Sequence, residues 1–582
     1  MLALLASSLL LAAAPTPPVS PVAPLARQYM DGLFKARPHL ATFMGDHSHD
    51  AELIDLSDAA TKRRLGELTT LAKQVAALDR SKLSADDRAD AQILADGIAL
   101  ETLYLAELHE PAWDPRFSDS FPFYDPREII ASRLGDLIHG AYATEAQRRE
   151  WVTAELLALP KLIAQEQALV TAPSLIHLEQ AVKDNAGRIG FFETELKEFT
   201  AKDPAGEAAR LAALKSLQGY QDFLTKFPRE KATHDWKLGK KLYAKKFPLA
   251  LQTNVKQDEL YQRARTAFLA ARGELFQSTL RLKKELWPKE PPVPAAIDNA
   301  GQAALIRRVE AELSKAHPKG DALVQAHADQ LNALRDFITQ KNLLALPPAE
   351  TLAVEPMPEF KRGGAGAEYL SPGMLDKTVQ WKGTFFVDPP DASWSAEKTE
   401  SYLRANNDLS IVLTAAHEAY PGHHLQAWYA RKDLNPLRST LWSGAFAEGW
   451  AVYGTTLLVR SGLGGATNER LHFEDTKVAM IVAANAILDL KLQTGEMSDA
   501  EALAFMENDG FQEKALAENK LRRANLDSTQ LCQYFLGLSE IEALEKEVRA
   551  KGPFDQRAFD EALVGHGTIP VKVLRGLVLG RN

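Results

Sequence analysis

The sequence predicts a mainly α-helical protein with a small β element beside one chemically rich helix. Apolar residues recur at helical spacings over most of the chain, as at Leu94, Ile98 and Leu105, whereas alternating runs are few. One short run, 383–388, has the pattern of a strand. The third observation is the stretch 414–426, in which three histidines and a glutamate lie close together in the sequence. We therefore expect a large two-lobed helical body with the β element next to the histidine-rich helix.

The composition is that of a folded globular protein, with 46% hydrophobic and 25% charged residues. The net charge of -9 argues against nucleic acid as a partner, because phosphate binding needs concentrated positive charge. The single cysteine, Cys532, cannot form an intramolecular disulfide and is expected to be buried.

Residues 1–23 are expected to be an export signal. Leu, Ala and Ser dominate up to Ala14, and a proline-rich stretch follows, although the positive charges that usually precede such a run are missing. The apolar run is too short to span a bilayer, and no cysteine lies near it for a lipid anchor. We expect a periplasmic or secreted bacterial protein without stable membrane insertion.

The remaining chain is predicted to form two parts, an N-terminal helical lobe over 24–346 and a catalytic lobe with a metal site over 347–582. The boundary lies where a stretch rich in proline and glycine, 347–390, interrupts the helical pattern. Inside it, Gly383 to Asp388 is predicted to be a short strand. Two interpretations are equally open: an edge strand that holds an extended peptide by main-chain pairing, and a packing hairpin.

Local patterns place the helices of the second part. Ser395 is a predicted N-cap, with Glu397 in the first turn, of a helix that runs into His417. Further helices are expected around 448–462 and from residue 468 onward, and 498–501 matches a capping box.

The histidine-rich stretch differs from the common zinc-binding helix. In the H-E-x-x-H pattern, two histidines one turn apart bind the metal and the glutamate activates a water. Here His417 and Glu418 are present, but Pro421 occupies the position of the second histidine. The next imidazoles are His423 and His424.

Helix geometry favours one of these two histidines. Residues about seven apart on a straight helix lie about 10 Å apart, too far for a shared metal. A proline inside a helix causes a kink or bulge, and a two-residue bulge would bring His423 to the position that the second histidine normally takes. His424 would then point away. We favour His423 as the ligand, and His424 remains open.

Glu448 is the predicted third ligand. It follows Glu418 by thirty residues, within 447–453, and the spacing allows a connecting loop and a returning helix. Catalytic zinc sites of this type take a carboxylate from elsewhere in the chain and leave one position open. Without Glu448, a helix end with surface histidines would be the simpler interpretation.

The runs H-E-A-Y-P-G-H-H-L-Q and E-G-W-A-V-Y resemble a bacterial family known as domain of unknown function 885, which is regarded as zinc peptidases of the zincin type. A weaker similarity covers most of the mature chain and includes Arg523, Gln530, Tyr534 and Gly537. Many members carry a histidine four residues after the position of Asp489, where this chain has Gln493.

The residues and the resemblance together suggest roles. His417, His423 and Glu448 would hold Zn²⁺, with manganese, cobalt or iron as other occupants, and Glu418 would be the general base. The resemblance implies that Tyr534 stabilises the oxyanion.

The family resemblance also implies that Arg523 pairs with a substrate carboxylate or backbone oxygen. Tyr453 is a weaker alternative to Tyr534, and Asp489 is expected to orient a ligand.

The predicted function is a zinc-dependent hydrolase, most simply a peptidase or oligopeptidase acting on peptides. A metal-dependent amidase or esterase would use the same residues on a non-peptide substrate. A non-catalytic helical binding protein with a structural metal is the third possibility. Glu418 argues against the third, because a structural site needs no general base.

Overall fold

The computed structural model describes residues 20–122, 127–358, 362, 366–376, 381–432, 435–465 and 468–580. Residues 1–19 of the predicted export signal lie outside the described residues. Val22 is already buried in the core, and the first helix begins at Ala23. The folded part therefore includes the last residues of the segment 1–23.

Helices make up about 70% of the protein, which confirms the predicted mainly α class. None of the described helices is long and apolar enough to cross a membrane. The α-helices of the described residues, numbered α1 to α24 in chain order, are Ala23–Ala36, Pro38–Met44, Asp58–Ala76, Ala85–Leu103, Ala131–His139, Glu145–Leu169, Leu175–Glu193, Glu195–Thr200, Pro204–Lys226, Gly239–Ala250, Gln257–Leu286, Asn299–Leu313, Leu323–Gln340, Ala396–Ala405, Asp408–Glu418, His423–Lys432, Pro436–Thr440, Gly444–Arg460, Asn468–Gln493, Asp499–Ala504, Lys514–Leu526, Cys532–Arg549, Gln556–Gly565 and Val571–Leu579.

Two of the predicted caps are present, and one predicted helix is divided. The Ser395 side chain accepts a hydrogen bond from the Lys398 amide at the start of α14, and Ser498 and Glu501 form the capping box of α20. The helix predicted from Ser395 to His417 is two helices, because Asn407 caps α15 with its side chain. The Asn407 side chain accepts hydrogen bonds from the Leu409 and Ser410 amides in place of a helical carbonyl, so a new helix begins here.

Five short strands form two sheets within the described residues. They are β1 Ser118–Asp119, β2 Arg127–Glu128, β3 Leu352–Pro356, β4 Ala367–Leu370 and β5 Gly383–Val387. The first two pair antiparallel, and the other three form a sheet in the order β3-β5-β4. In that sheet β5 is parallel to β3 and antiparallel to β4.

The predicted strand after Gly383 therefore exists, but it is central and the prediction of an edge strand is wrong. Both neighbouring strands come from the stretch rich in proline and glycine that was predicted to be a linker. Their sequences, Leu-Ala-Val-Glu-Pro and Ala-Glu-Tyr-Leu, lack the run of threonine, phenylalanine and valine that marks β5 as a strand. The edge that contacts α15 is β4.

The register shows which main-chain groups of β4 face outward. The Asp388 amide donates to the Gly366 carbonyl at 2.9 Å, so this pair is hydrogen-bonded across the antiparallel ladder. Hydrogen-bonded pairs alternate along such a ladder. The main-chain groups of Glu368 therefore point toward β5, whereas those of Ala367 and Tyr369 point toward the outer edge.

The hydrophobic cores do not follow the predicted boundary at 346/347. Helix α11, from the first part, packs along α19, from the second, and their apolar residues share one core cluster. Another cluster joins the N-terminal helices to α15, α16 and α18, and a third is built within 117–227. The change in composition at residue 347 marks a change of secondary structure and not a division of the core.

Candidate metal centre

The break between α15 and α16 is a two-residue bulge, as the sequence predicts. The Gly422 amide donates to the Ala416 carbonyl at 3.0 Å, and the Leu425 amide donates to the Ala419 carbonyl at 3.2 Å. Each bond spans six residues instead of the four of an α-helix. The second helix therefore continues the first with two residues inserted.

Tight packing surrounds the bulge. Pro421 follows a cis peptide bond, and its carbonyl accepts a hydrogen bond of 2.9 Å from the Trp450 indole of α18. A Cβ added at Gly422 would lie 1.6 Å from the His417 carbonyl oxygen, so this position accommodates glycine. Residues of the histidine-rich stretch and of the segment around Glu448 thus hold this turn in place.

Three side chains converge at this turn. The Nε2 atoms of His417 and His423 lie 3.3 Å and 3.6 Å from Oε2 of Glu448, and the two imidazole rings are nearly perpendicular. The three possible ligand atoms lie within 4.8 Å of one another. Glu448 is 3% exposed, while the two histidines are partly exposed.

This arrangement fits a zinc ion. Tetrahedral zinc with bonds of about 2.0 to 2.1 Å would place its ligand atoms about 3.3 Å apart. Burial raises the pKa of the Glu448 carboxyl, but hydrogen bonds from His417 and His423 outweigh this effect and hold the pKa well below its usual range. The group therefore offers two imidazoles and an ionised carboxylate, which is a donor set suited to Zn²⁺.

His424 lies outside the cluster. It is fully buried and stacks on Trp381, and its two ring nitrogens lie 3.1 Å from Thr351 Oγ1 and 3.3 Å from the Tyr369 hydroxyl. Burial, aided by the charge of Arg335, lowers the pKa of His424 to about 3. Of the two predicted alternatives, the structure brings His423 to Glu448 and directs His424 away.

Glu418 is buried beside the cluster. Burial raises the pKa of Glu418 to about 7, and the charges of Glu448 and Glu368 contribute, against the opposing effects of His417 and a hydrogen bond from the Tyr369 amide. That amide belongs to the outer edge of β4. Neither Tyr369 nor Glu368 could be recognised from the sequence, because their strand lies in the predicted linker.

Tyr534 lies in the first turn of α22. Gly449 and Gly537 are in direct contact where α18 packs on α22, since a Cβ at Gly449 would lie 2.3 Å from Gly537. This contact places the turn with Tyr534 close to the turn with Glu448. The Tyr534 hydroxyl accepts a hydrogen bond of 3.3 Å from Gln530, and its predicted role remains a prediction.

Tyr453, the weaker alternative, has other partners. Its hydroxyl lies 3.0 Å from Glu545 and 3.3 Å from Asp560, and it accepts a hydrogen bond from Gln556. Because these partners belong to α22 and α23, the Tyr453 hydroxyl serves the packing of those helices.

Arg523 and Asp489 occupy different helices. Arg523 lies on α21, where burial and the Arg523 charge lower the pKa of Lys520 to about 7; its predicted substrate contact stays a prediction. Asp489 accepts hydrogen bonds from the Tyr243 hydroxyl at 2.9 Å and the Thr529 amide at 3.1 Å. These contacts hold the chain that leads into α22.

Two solved structures resemble the whole chain. A protein from Shewanella oneidensis, described as a candidate lipoprotein of unknown function, is 28% identical with a TM-score of 0.80, and the match covers 96% of this chain and 99% of the other. A similarly described lipoprotein from Colwellia psychrerythraea is 16% identical with a TM-score of 0.74, covering 96% and 98%. A comparison with curated proteins found no match. The family described as bacterial protein of unknown function (DUF885) matches residues 38–578, and the chain belongs to that family.

Proposed function

We propose that this protein is a zinc-dependent peptidase or oligopeptidase. One observation carries the proposal: His417, His423 and Glu448 converge to within 4.8 Å, with the buried carboxyl of Glu418 next to them. A site that only stabilised the fold would need no such carboxyl. The combination is that of a hydrolytic centre.

The residues divide the chemistry between them. His417, His423 and Glu448 would hold the zinc ion, which when bound would supply a Lewis acid for a water molecule and for a carbonyl oxygen. The Glu418 carboxylate accepts the proton of the attacking water and passes it to the leaving amine. Tyr534 donates a hydrogen bond to the developing oxyanion, and Arg523 pairs with a substrate carboxylate or backbone oxygen.

The outer edge of β4 supports a peptide as the substrate. The Ala367 main-chain groups and the Tyr369 carbonyl point outward, and the Tyr369 amide reaches Glu418. An extended peptide can pair with such an edge as an additional strand. Pairing there would bring a peptide bond close to the general base, which a small ester would not require.

Export is part of the proposal. The apolar N-terminal run predicts a periplasmic or secreted protein, and the two similar solved proteins are described as lipoproteins. Peptides outside the cytoplasm are then the substrates.

The test is hydrolysis of a library of quenched fluorescent peptides by the zinc-loaded protein, before and after chelation. We expect cleavage that chelation abolishes and added zinc restores. Glu418→Gln should retain zinc and lose activity by about a thousand-fold, within the range for general-base catalysis. Glu355→Gln, an exposed residue of β3, is the matched control and should behave as wild type.

Two outcomes would contradict the proposal. Hydrolysis of small esters or amides without any peptide cleavage would favour the amidase or esterase. A protein that binds no zinc when zinc is supplied would exclude the hydrolase.

A further inference from the structure

Tyr369 contacts both the proposed general base and the residue that follows a metal ligand. Its amide donates to Glu418, and its hydroxyl lies 3.3 Å from Nδ1 of His424. His424 follows His423, a member of the metal cluster, in the first turn of α16. One tyrosine therefore connects the general base to the turn that carries a metal ligand.

The hydrogen atoms along this connection can be assigned. The Thr351 hydroxyl donates to the Pro348 carbonyl at 2.7 Å, so its oxygen accepts from Nε2–H of His424 at 3.1 Å. A neutral imidazole has one donor and one acceptor nitrogen. Nδ1 is then the acceptor, and the Tyr369 hydroxyl donates to it.

Packing leaves these rings little freedom. The His424 ring stacks on Trp381 at 5.3 Å and meets Tyr420 edge-on, and it is fully buried. The Tyr369 ring fills the space above Gly383, where an added Cβ would lie 2.5 Å from the ring. The series of hydrogen bonds from Tyr369 through His424 and Thr351 to Pro348 thus joins β4 to α16 and to the start of β3.

We propose that Tyr369 and His424 are positioning residues that hold the β4 edge, and through it the Glu418 carboxylate, in register with the metal cluster. His424 acts through Tyr369 and binds no metal. The catalytic part of this inference rests on the proposed peptidase function. The structural part, that the hydroxyl–imidazole bond holds β4 in place, does not.

The structural part is tested by amide hydrogen exchange of the segment 366–376 in the full chain. Tyr369→Phe keeps the ring and the amide and removes the bond to His424, so exchange in this segment should become about ten-fold faster. Tyr429→Phe is the matched control, a buried tyrosine of α16 whose hydroxyl bonds to the Ala345 carbonyl. It should leave exchange in β4 unchanged.

The catalytic part is tested by kinetics with zinc content measured alongside. Tyr369→Phe and His424→Phe should each lower kcat about ten-fold, as misplaced catalytic groups do, with KM and zinc content within two-fold of wild type. The double variant should be no slower than either single variant, because both changes break one connection.

Unchanged β4 exchange in Tyr369→Phe would overturn the inference, and so would single-variant losses that multiply in the double variant. If wild type neither binds zinc nor cleaves peptides, the proposed function fails, and the exchange result still decides whether the connection holds β4.

Discussion

Glu448 of α18 and Asp560, which contacts the same helix, are two buried carboxyl groups whose pKa values are shifted in opposite directions. Glu448 faces two imidazoles, and the pKa of its carboxyl is held well below its usual range despite burial. Asp560, which is fully buried and bonded to Tyr453 of the same helix, has no cation in hydrogen-bond contact among the described residues. Burial raises the pKa of Asp560 to about 8, and the charge of Glu545 contributes.

The difference between the two pKa shifts shows why the Glu448 region is suited to hold a metal ion. Burial by itself favours the neutral carboxyl, as at Asp560. A buried carboxylate stays charged only where donors or cations compensate it. The imidazoles of His417 and His423 do this at Glu448, and the same three groups are the donors that a zinc ion would need.

The largest expected effect distinguishes the two carboxylates by zinc binding. Glu448→Gln should lower zinc affinity about a thousand-fold, because an amide oxygen is a poor replacement for an ionised ligand. Asp560→Asn should leave the affinity within two-fold of wild type. Competition with a chromogenic chelator measures both, and equal losses would show that the effect reflects general damage to α18.

The adjacent histidines extend the comparison. His423→Ala should lose zinc to a similar degree as Glu448→Gln, since it removes an Nε2 atom that lies 3.6 Å from Glu448. His424→Phe should keep zinc, because it retains an aromatic ring in the buried position. Elemental analysis of both variants after dialysis gives the answer, and zinc loss in His424→Phe alone would reverse the assignment.

The raised pKa of Asp560 also makes the stability of the protein depend on pH. In the folded state Asp560 keeps its proton up to about pH 8, whereas the unfolded chain releases this proton near the ordinary aspartate pKa of 3.8. The free energy of unfolding of the wild type should therefore fall as pH rises from about 4 to about 8, by at most about 1.4 kcal/mol per pH unit.

Asp560→Asn resembles the protonated carboxyl and should lack this contribution, so its advantage over wild type grows toward pH 8. Urea denaturation at several pH values measures the difference. Parallel pH profiles for the two proteins would contradict the prediction. The groups that influence Asp560 are Tyr453, Gln556, Glu545 and Arg549.

The smallest effect tests the support of the bulge. Trp450→Phe removes the donor to the Pro421 carbonyl and leaves a cavity in a fully buried position, which should cost about 2 kcal/mol of unfolding free energy. Trp428→Phe, a half-buried tryptophan of α16, should cost less than about 1 kcal/mol. Chemical denaturation of both variants decides the point, and equal costs would show that the indole bond contributes little.

Features of the fold that depend on local sequence could be predicted. The caps at Ser395 and Ser498, the helix with Glu448 and the bulge after Glu418 follow from residues only a few positions apart. The place of β5 in its sheet could not be predicted, because pairing with β3 and β4 depends on contacts 14 to 31 residues away along the chain.

The role of His424 could not be predicted for a similar reason. Its partners Tyr369 and Thr351 precede it by 55 and 73 residues and lie in the stretch predicted to be a linker. The core shared by α11 and α19 could not be predicted either, since the contact between Glu285 and Arg470 of these helices joins residues 185 positions apart. Non-local packing accounts for each of these differences.

An anomalous difference map from crystals of the zinc-loaded protein, recorded at the zinc absorption edge, would show directly whether His417, His423 and Glu448 bind zinc. We expect one strong peak about 2.0 to 2.1 Å from Nε2 of His417, Nε2 of His423 and a carboxylate oxygen of Glu448, with Glu418 beside it and His424 not coordinated. A peak at His424, or no peak among these three residues in a zinc-loaded crystal, would exclude the proposed zinc site.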